Sequence, residues 1–175
     1  RTTDEIGQLG QAFNSMAATV HDNHLELTFR ASHDPLTGLA NRAVLTERLA
    51  ATFDPQAKDP DASGTGHWDG REGLLIIDVD DFKDVNDSLG HEGGDALLIQ
   101  LAQRLRGCVR GHDLVARLGG DEFAIVVMDD GGTATDDVAR RIQAALRDPF
   151  CIDDVRLKVT VSMGAAQPGD EVMSA

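Results

Sequence analysis

Two apolar runs joined by a glycine pair limit what this chain can fold into more than any other feature. Leu114-Val115-Ala116 precedes, and Phe123-Ala124-Ile125-Val126-Val127-Met128 follows, the stretch Arg117-Leu118-Gly119-Gly120-Asp121-Glu122. Both runs are rich in β-branched residues, so each reads as a buried strand. Glycine reaches positive φ without steric cost, so Gly119-Gly120 predicts a tight hairpin turn between them. Asp121 and Glu122 then sit at or beside the hairpin tip. Adjacent carboxylates repel each other and call for a cation or a proton. With backbone amides bared by the glycines, such a tip suits a metal–phosphate complex.

A second run, Leu74-Leu75-Ile76-Ile77-Asp78-Val79-Asp80, is apolar until it ends in acids. It reads as a central strand buried on both faces. Carboxylates at the carboxyl end of such a strand lie where open α/β sheets place their ligands. Asp78 and Asp80 with Asp121 and Glu122 form a candidate two-metal cluster, able to activate an attacking oxygen and stabilise a leaving one. A calcium-binding EF-hand starting at Asp78 is excluded, because its sixth position needs glycine and holds Lys83.

The balance of charge fits this reading. Across 175 residues the formal net charge is −14. That argues against nucleic acid or an anionic membrane surface as partner, but not against a nucleotide carried in with a divalent cation. Cys108 and Cys151 lack metal-ligand spacing and read as reduced thiols of a cytosolic chain. No apolar run reaches the roughly 18 residues of a membrane span, and no signal peptide is visible. The chain opens at Arg1 in mid-helix pattern, as a piece of something longer would.

Over residues 4–30, Ile6, Phe13, Val20 and Leu27 recur every seven residues, as do Leu9, Met16 and Asn23. This is the seam of a two-stranded coiled coil, with Asn23 fixing register at some cost in stability. Ser32-His33-Asp34-Pro35 ends that helix, Leu36 to Leu39 forms a turn, and Asn41 caps a helix with apolar face Leu45, Leu49 and Phe53. Residues 54–73 read as a long loop. Asp81–Leu89 reads as a short helix or turn, Gly90–Gly94 as a loop, and Asp95 as the start of a long helix whose apolar face is Leu97, Leu98, Leu101, Leu105 and Val109. A helix follows over 133–147, with Val138, Ile142, Ala145 and Leu146 inward. The alternation of Val155, Leu157, Val159 and Val161 predicts one half-buried strand over 155–163, and the chain is turn-like from Gly164.

Five ordered motifs carry a resemblance. They are Asp34-Pro35-Leu36-Thr37-Gly38-Leu39-Ala40-Asn41-Arg42, Asp78 to Asp87, Gly90-His91-Glu92-Gly93-Gly94-Asp95, Gly119-Gly120-Asp121-Glu122-Phe123, and Val159 to Gly164. From about Asp34 to Gly164 the chain resembles a GGDEF domain, the diguanylate cyclase family. Residues 1–33 resemble the end of a HAMP signalling helix, which leaves 34–175 as the cyclase domain. The resemblance implies an α/β (α+β) fold, a palm-like central antiparallel sheet flanked by helices. It implies condensation of two GTP into cyclic di-GMP and two pyrophosphates, with magnesium or manganese as cofactor.

By motif, Asp78, the Val79 carbonyl and Asp121 would bind the metal, and Asp121 or Glu122 would help deprotonate the ribose 3′-hydroxyl. Lys83 would stabilise charge on the phosphates. Asn86 and Asp95 would read guanine, an amide donating to its acceptors and a carboxylate accepting from its N–H groups. His91 would line the pocket, and Gly119 and Gly120 would let phosphates approach the backbone. Arg110 and Asp113 match the family's Arg-x-x-Asp inhibitory site for product. Because each domain holds one GTP, the resemblance implies a homodimer, which the coiled coil would supply by raising effective concentration. It places the domain in the cytoplasm, with the parent protein anchored in the cell membrane through segments before Arg1. The family normally continues past the late strand with another strand and a helix, and this chain ends first. The competing expectation is a non-catalytic module that binds GTP or cyclic di-GMP and regulates an attached phosphodiesterase.

Overall fold

The structure is a computed structural model and describes residues 29–53, 72–128 and 133–166, together with Met16 and Leu27. The elements are β1 (Ala40–Asn41), α1 (Arg42–Phe53), β2 (Glu72–Val79), α2 (Phe82–Gly107), β3 (Leu114–Gly119), β4 (Glu122–Met128), α3 (Ala134–Ala145), β5 (Phe150–Ile152), β6 (Val155–Leu157) and β7 (Val161–Ala166). A five-stranded sheet runs in the order β1-β3-β4-β2-β7, and β5-β6 form a separate hairpin. Every pairing in the large sheet is antiparallel except the short parallel contact of β1 with β3. The sheet expected as antiparallel is therefore mixed at one edge.

The sheet separates two cores. On one face Leu75, Ile77 and Val79 of β2 and Phe123, Ile125 and Val127 of β4 meet Leu97, Leu98, Leu101 and Leu105 of α2 and Val138 and Ile142 of α3. On the other, Ala124, Val126 and Ala116 meet Leu45 of α1. The strand buried on both faces is β4, whose Phe123 to Val127 are at most 2% exposed. β2 departs from expectation: Ile76 is 37% exposed, and Asp78 beyond it is exposed too. The reason is the placement of α1, which packs over β1 and β3: Leu74 still reaches the core around Leu45, but among the described residues Ile76 and Asp78, farther along the same face of β2, stay exposed.

Local chemistry explains the remaining differences. The short helix and the long helix expected between Asp81 and Val109 are both present as the two halves of α2, but the loop expected over Gly90–Gly94 narrows to a kink at Gly90, whose φ of 76° and ψ of 170° are not helical. The single strand expected over 155–163 is two strands in different sheets. Thr160 Oγ1 and Ser162 Oγ donate to Asp80, at 2.6 and 2.7 Å, and hold the bend between them against β2. β7 also runs on to Ala166, past the expected turn at Gly164. Glu72 and Gly73 are already strand, and the rest of the long loop, the Phe53 side chain and most of the heptad seam lie outside the described residues.

Asn41 serves two helices. Its Oδ1 accepts from Val44 N at 3.1 Å and caps α1, while its Nδ2 donates to the carbonyl of Ala31 at 2.9 Å, at the end of the helix that enters the domain. At the opposite corner Arg104 joins α2 to α3. Its guanidinium donates to the carbonyls of Ala145 (3.1 Å), Asp148 and Pro149 (2.7 Å) and lies 3.7 Å over the Phe150 ring. Arg104→Ala strands those carbonyls and removes a cation–π contact. It should lower stability by about 2–3 kcal/mol, read as a fall in the urea midpoint with little change in slope.

Candidate active site

The hairpin between β3 and β4 turns on Gly120 and Asp121, with Gly119 paired to Glu122 across it. Gly119 has φ 140° and Gly120 φ 54°. A Cβ at either position would meet nothing within 4 Å, so glycine is required there by backbone conformation and the space stays open for a ligand. The register slips between Arg117 and Gly119, a bulge that twists the tip.

A polar network that the sequence reading missed holds this tip. Arg117 donates from Nε (3.1 Å) and Nη2 (2.7 Å) to the Gly120 carbonyl and from Nη1 to Asp34 Oδ1 at 2.9 Å. Asp34 also accepts from Thr37 N (2.9 Å) and Thr37 Oγ1 (2.6 Å). Burial pushes the Asp34 carboxyl upward, but the Thr37 hydroxyl, the Arg117 guanidinium and the Thr37 N–H outweigh it and hold the pKa below its ordinary value. Arg42 adds a second tie, Nε to the Leu118 carbonyl at 3.2 Å and Nη2 3.6 Å from Glu122 Oε2. The opening motif is thus latched onto the signature. A basic residue beside a glycine turn, with an acid just after the incoming helix, was the available signal.

β2 brings the next acid. Asp78 lies opposite Glu122 of β4 and opposite Ser162 of β7. Like charges facing across paired strands repel. Partial desolvation, then the charges of Asp121, Glu122 and Asp80, raise the Asp78 pKa above its ordinary value. Asp80 behaves differently from the expected cluster member. The Thr160 and Ser162 hydroxyls occupy its two oxygens and lower its pKa, so it pins strands instead of joining the acids at the tip.

The donor set was expected to hold magnesium or manganese. Among the described residues no three His, Cys, Asp or Glu side chains gather closely enough to hold a metal on their own. Magnesium does not need such a cage, since one or two carboxylates plus substrate phosphates and waters complete its shell. Asp78 and Asp121, all-oxygen donors that burden each other with charge, fit that requirement. Val79 buries its side chain in the core at 1% exposure and leaves its backbone as the group it can offer.

α2 carries the remaining expected residues. Lys83 is exposed on its first turn, Asn86 is half-buried, and His91 and Asp95 are exposed just beyond the bend. The left-handed Asp81 (φ 55°, ψ 27°) makes the sharp handover from the acidic end of β2 into the first turn of α2, where Lys83 lies. A separate hollow of about 450 Å³, lined by Leu146, Arg147, Lys158 and Val159 among others, includes none of the acids at the tip.

The family model described as diguanylate cyclase, GGDEF domain, matches residues 31–171. The chain belongs to the GGDEF family. A HAMP domain model matches residues 1–22 ahead of it. The diguanylate cyclase TpbB of Pseudomonas aeruginosa is 40% identical over 161 residues, covering 86% of this chain and 34% of that protein. The bifunctional diguanylate cyclase/cyclic di-GMP phosphodiesterase MucR of the same species is 35% identical over 156 residues, covering 89% of this chain and 22% of that protein. The chain therefore spans about a third of one of these curated relatives and less than a quarter of the other. Among solved structures, a sensory box/GGDEF family protein from Caulobacter crescentus superposes with a TM-score of 0.67 at 38% identity, covering 79% of this chain and 85% of that one.

In this GGDEF domain Arg110 and Asp113 differ in presentation. Arg110 is exposed, whereas the Asp113 side chain is 1% exposed. Asp113 Oδ2 accepts from Arg110 N at 2.7 Å and Oδ1 from Met128 N at 3.2 Å. The carboxylate expected to face a ligand is turned inward as a clamp on the backbone. The shallow hollow beside it is lined by Arg110, Met128, Asp137 and a second arginine, Arg141, brought there by α3. Arg141 lies too far along the sequence from Arg110 for a short motif to pair them.

Proposed function

We propose that this chain is the catalytic domain of a diguanylate cyclase that condenses two GTP into cyclic di-GMP and two pyrophosphates. The observation that carries the reading is Asp78 facing the Asp121–Glu122 tip across β2 and β4, at the exposed end of β2. Asp78, the Val79 carbonyl and Asp121 would hold magnesium or manganese, which supplies charge neutralisation at the phosphates when bound. Asp121 or Glu122 accepts the proton of the ribose 3′-hydroxyl. That oxygen attacks the α-phosphorus of the other GTP, and pyrophosphate leaves. Lys83 meets charge growing on the phosphates, and Gly119 and Gly120 leave the backbone accessible to them. Asn86 and Asp95 read the guanine, with His91 beside the nucleotide.

Two domains must meet for the double reaction, so the active form is a homodimer. Met16 and Leu27, both seam positions of the heptad pattern, are each 66% exposed in the single chain, which supports a partner helix there. We take 1–33 as the signalling helix and 34–175 as the cyclase domain, a division supported by the HAMP and GGDEF matches. The HAMP match supports a membrane-linked signalling parent with this domain in the cytoplasm. Among the described residues no helix is long and apolar enough to cross a membrane.

Incubation of the protein with GTP and magnesium should yield cyclic di-GMP and pyrophosphate by chromatography, and Asp121→Ala should abolish both. A folded dimer that binds GTP but makes no product would move the reading to the second possibility, a nucleotide-binding module that regulates a phosphodiesterase. The bifunctional MucR relative keeps that possibility open.

Product inhibition is assigned to Arg110 and Arg141, whose guanidinium groups can fork to phosphate or stack on guanine, with Asp113 holding Arg110 in place. Arg110→Ala and Arg141→Ala should each raise the concentration of cyclic di-GMP needed for half inhibition by about tenfold or more, with initial rates unchanged. Unaltered inhibition in both variants would remove this assignment.

A further inference from the structure

In a straight helix, residues eight apart are separated by about 12 Å of rise and cannot touch. Asn86 and Gly94 are eight apart in α2, yet they are in contact. The bend at Gly90, with φ 76° and ψ 170°, brings the second half of α2 back toward the first. At Gly94 a Cβ would lie 2.1 Å from Asn86 Oδ1, 3.0 Å from Asn86 Cγ and 3.2 Å from Phe82 Cζ. No real Cβ tolerates the first of these distances. Gly94 is buried, Asn86 is half-buried, and among the described residues the Asn86 side chain makes no hydrogen bond. Its amide is thus placed by packing, with its donors and acceptor left unspent.

We propose that Gly94 is a specificity-determining positioning residue: its missing side chain is the space that sets the Asn86 amide against the base of the nucleotide. The inference rests on the reading of Asn86 as a guanine contact and adds the reason the amide sits where it does. Any side chain at position 94 must drive the Asn86 amide away, and the cost falls on recognition of the base. Charge on the phosphates is met elsewhere, so triphosphate binding in general should survive. Gly93 provides the contrast. A Cβ there would meet Leu89 Cβ at 2.5 Å, an apolar neighbour, and would leave Asn86 alone.

The test measures binding of fluorescent GTP and ATP analogues to the whole protein with magnesium, for the unsubstituted chain and for Gly94→Ala, Gly93→Ala, Asn86→Ala and the Asn86→Ala/Gly94→Ala pair. Gly94→Ala should weaken GTP binding about tenfold and leave ATP binding within about twofold. Gly93→Ala should lower the melting temperature while keeping the preference for GTP. In the double variant, Gly94→Ala should add no further loss of preference to that of Asn86→Ala, because the amide it displaces is gone. The double variant should also melt above Gly94→Ala, since the methyl now has room, which keeps the proposal testable where Gly94→Ala folds poorly. A full GTP preference in Gly94→Ala, or a double variant that melts no higher than Gly94→Ala, overturns the role of Gly94. An unsubstituted protein that binds GTP no better than ATP overturns the guanine reading itself.

Discussion

Replacing Arg117 with alanine should cost this protein about 2–3 kcal/mol of stability and lower the proposed cyclase activity on the order of a hundredfold. The Arg117 and Asp34 side chains are only 10% and 18% exposed, so their ion pair is shielded from water far more than a surface pair. Removing the guanidinium leaves Asp34 with Thr37 alone and frees the Gly120 carbonyl, the anchor that fixes the tip next to Asp121. A lysine in its place carries the charge but not the fork, and cannot serve Asp34 and Gly120 together. Arg117→Lys should therefore recover part of the stability and little of the rate.

The pH dependence separates this latch from ordinary packing. The Asp34 pKa is depressed in the folded protein, so the latch contributes in full above the ordinary value of 3.8 and is lost as pH falls through the lower folded value. The difference in urea midpoint between the unsubstituted protein and Arg117→Ala should be constant from neutral pH down to about that point and shrink below it. A difference that persists undiminished in acid would mean that the loss is one of packing.

How far the fold could be read from residues depended on the range of the interaction involved. The hairpin was legible because Gly119 and Gly120 demand a turn locally and the flanking runs demand burial. The face of α2 was legible because Leu97, Leu98, Leu101 and Leu105 repeat with the helix. The burial of β2 was not, because it depends on where α1 comes to rest on the sheet, and nothing within Leu74–Val79 records that. The break between β6 and β7 was hidden for the same reason: Val155 to Val161 alternate without a fault, and the bend is imposed by Asp80, some 80 residues earlier in the chain. At the site, Asp78, Asp121 and Glu122 stood out as acids next to apolar runs. Arg117, Arg42 and Arg141 did not, since an arginine's partners are chosen by tertiary contact. Gly94 sits within the Gly90–Asp95 motif, but its reason for being glycine exists only once α2 is bent.

Asp78→Asn should make the protein more stable at neutral pH while reducing the proposed cyclase activity by on the order of a hundredfold or more. The two effects share one cause. The Asp78 pKa is raised in the folded state by partial desolvation and by Asp121, Glu122 and Asp80, so the folded protein holds its proton more tightly than the unfolded chain does. Stability therefore falls as pH climbs from the ordinary 3.8 through the higher folded value, and stays lower above it. Asparagine has no charge to lose and escapes that fall. The melting temperatures of Asp78→Asn and the unsubstituted protein should converge in acid and separate toward pH 7, the variant melting higher. Magnesium should close the gap from the other side by raising the melting temperature of the unsubstituted protein and leaving that of the variant nearly unchanged, because a bound cation turns the repulsion into coordination. If magnesium stabilises both equally, the ion is held elsewhere, and Asp78 is not its ligand. If it stabilises the unsubstituted protein alone, the strain among these carboxylates is the counterpart of their affinity for the ion that the chemistry requires.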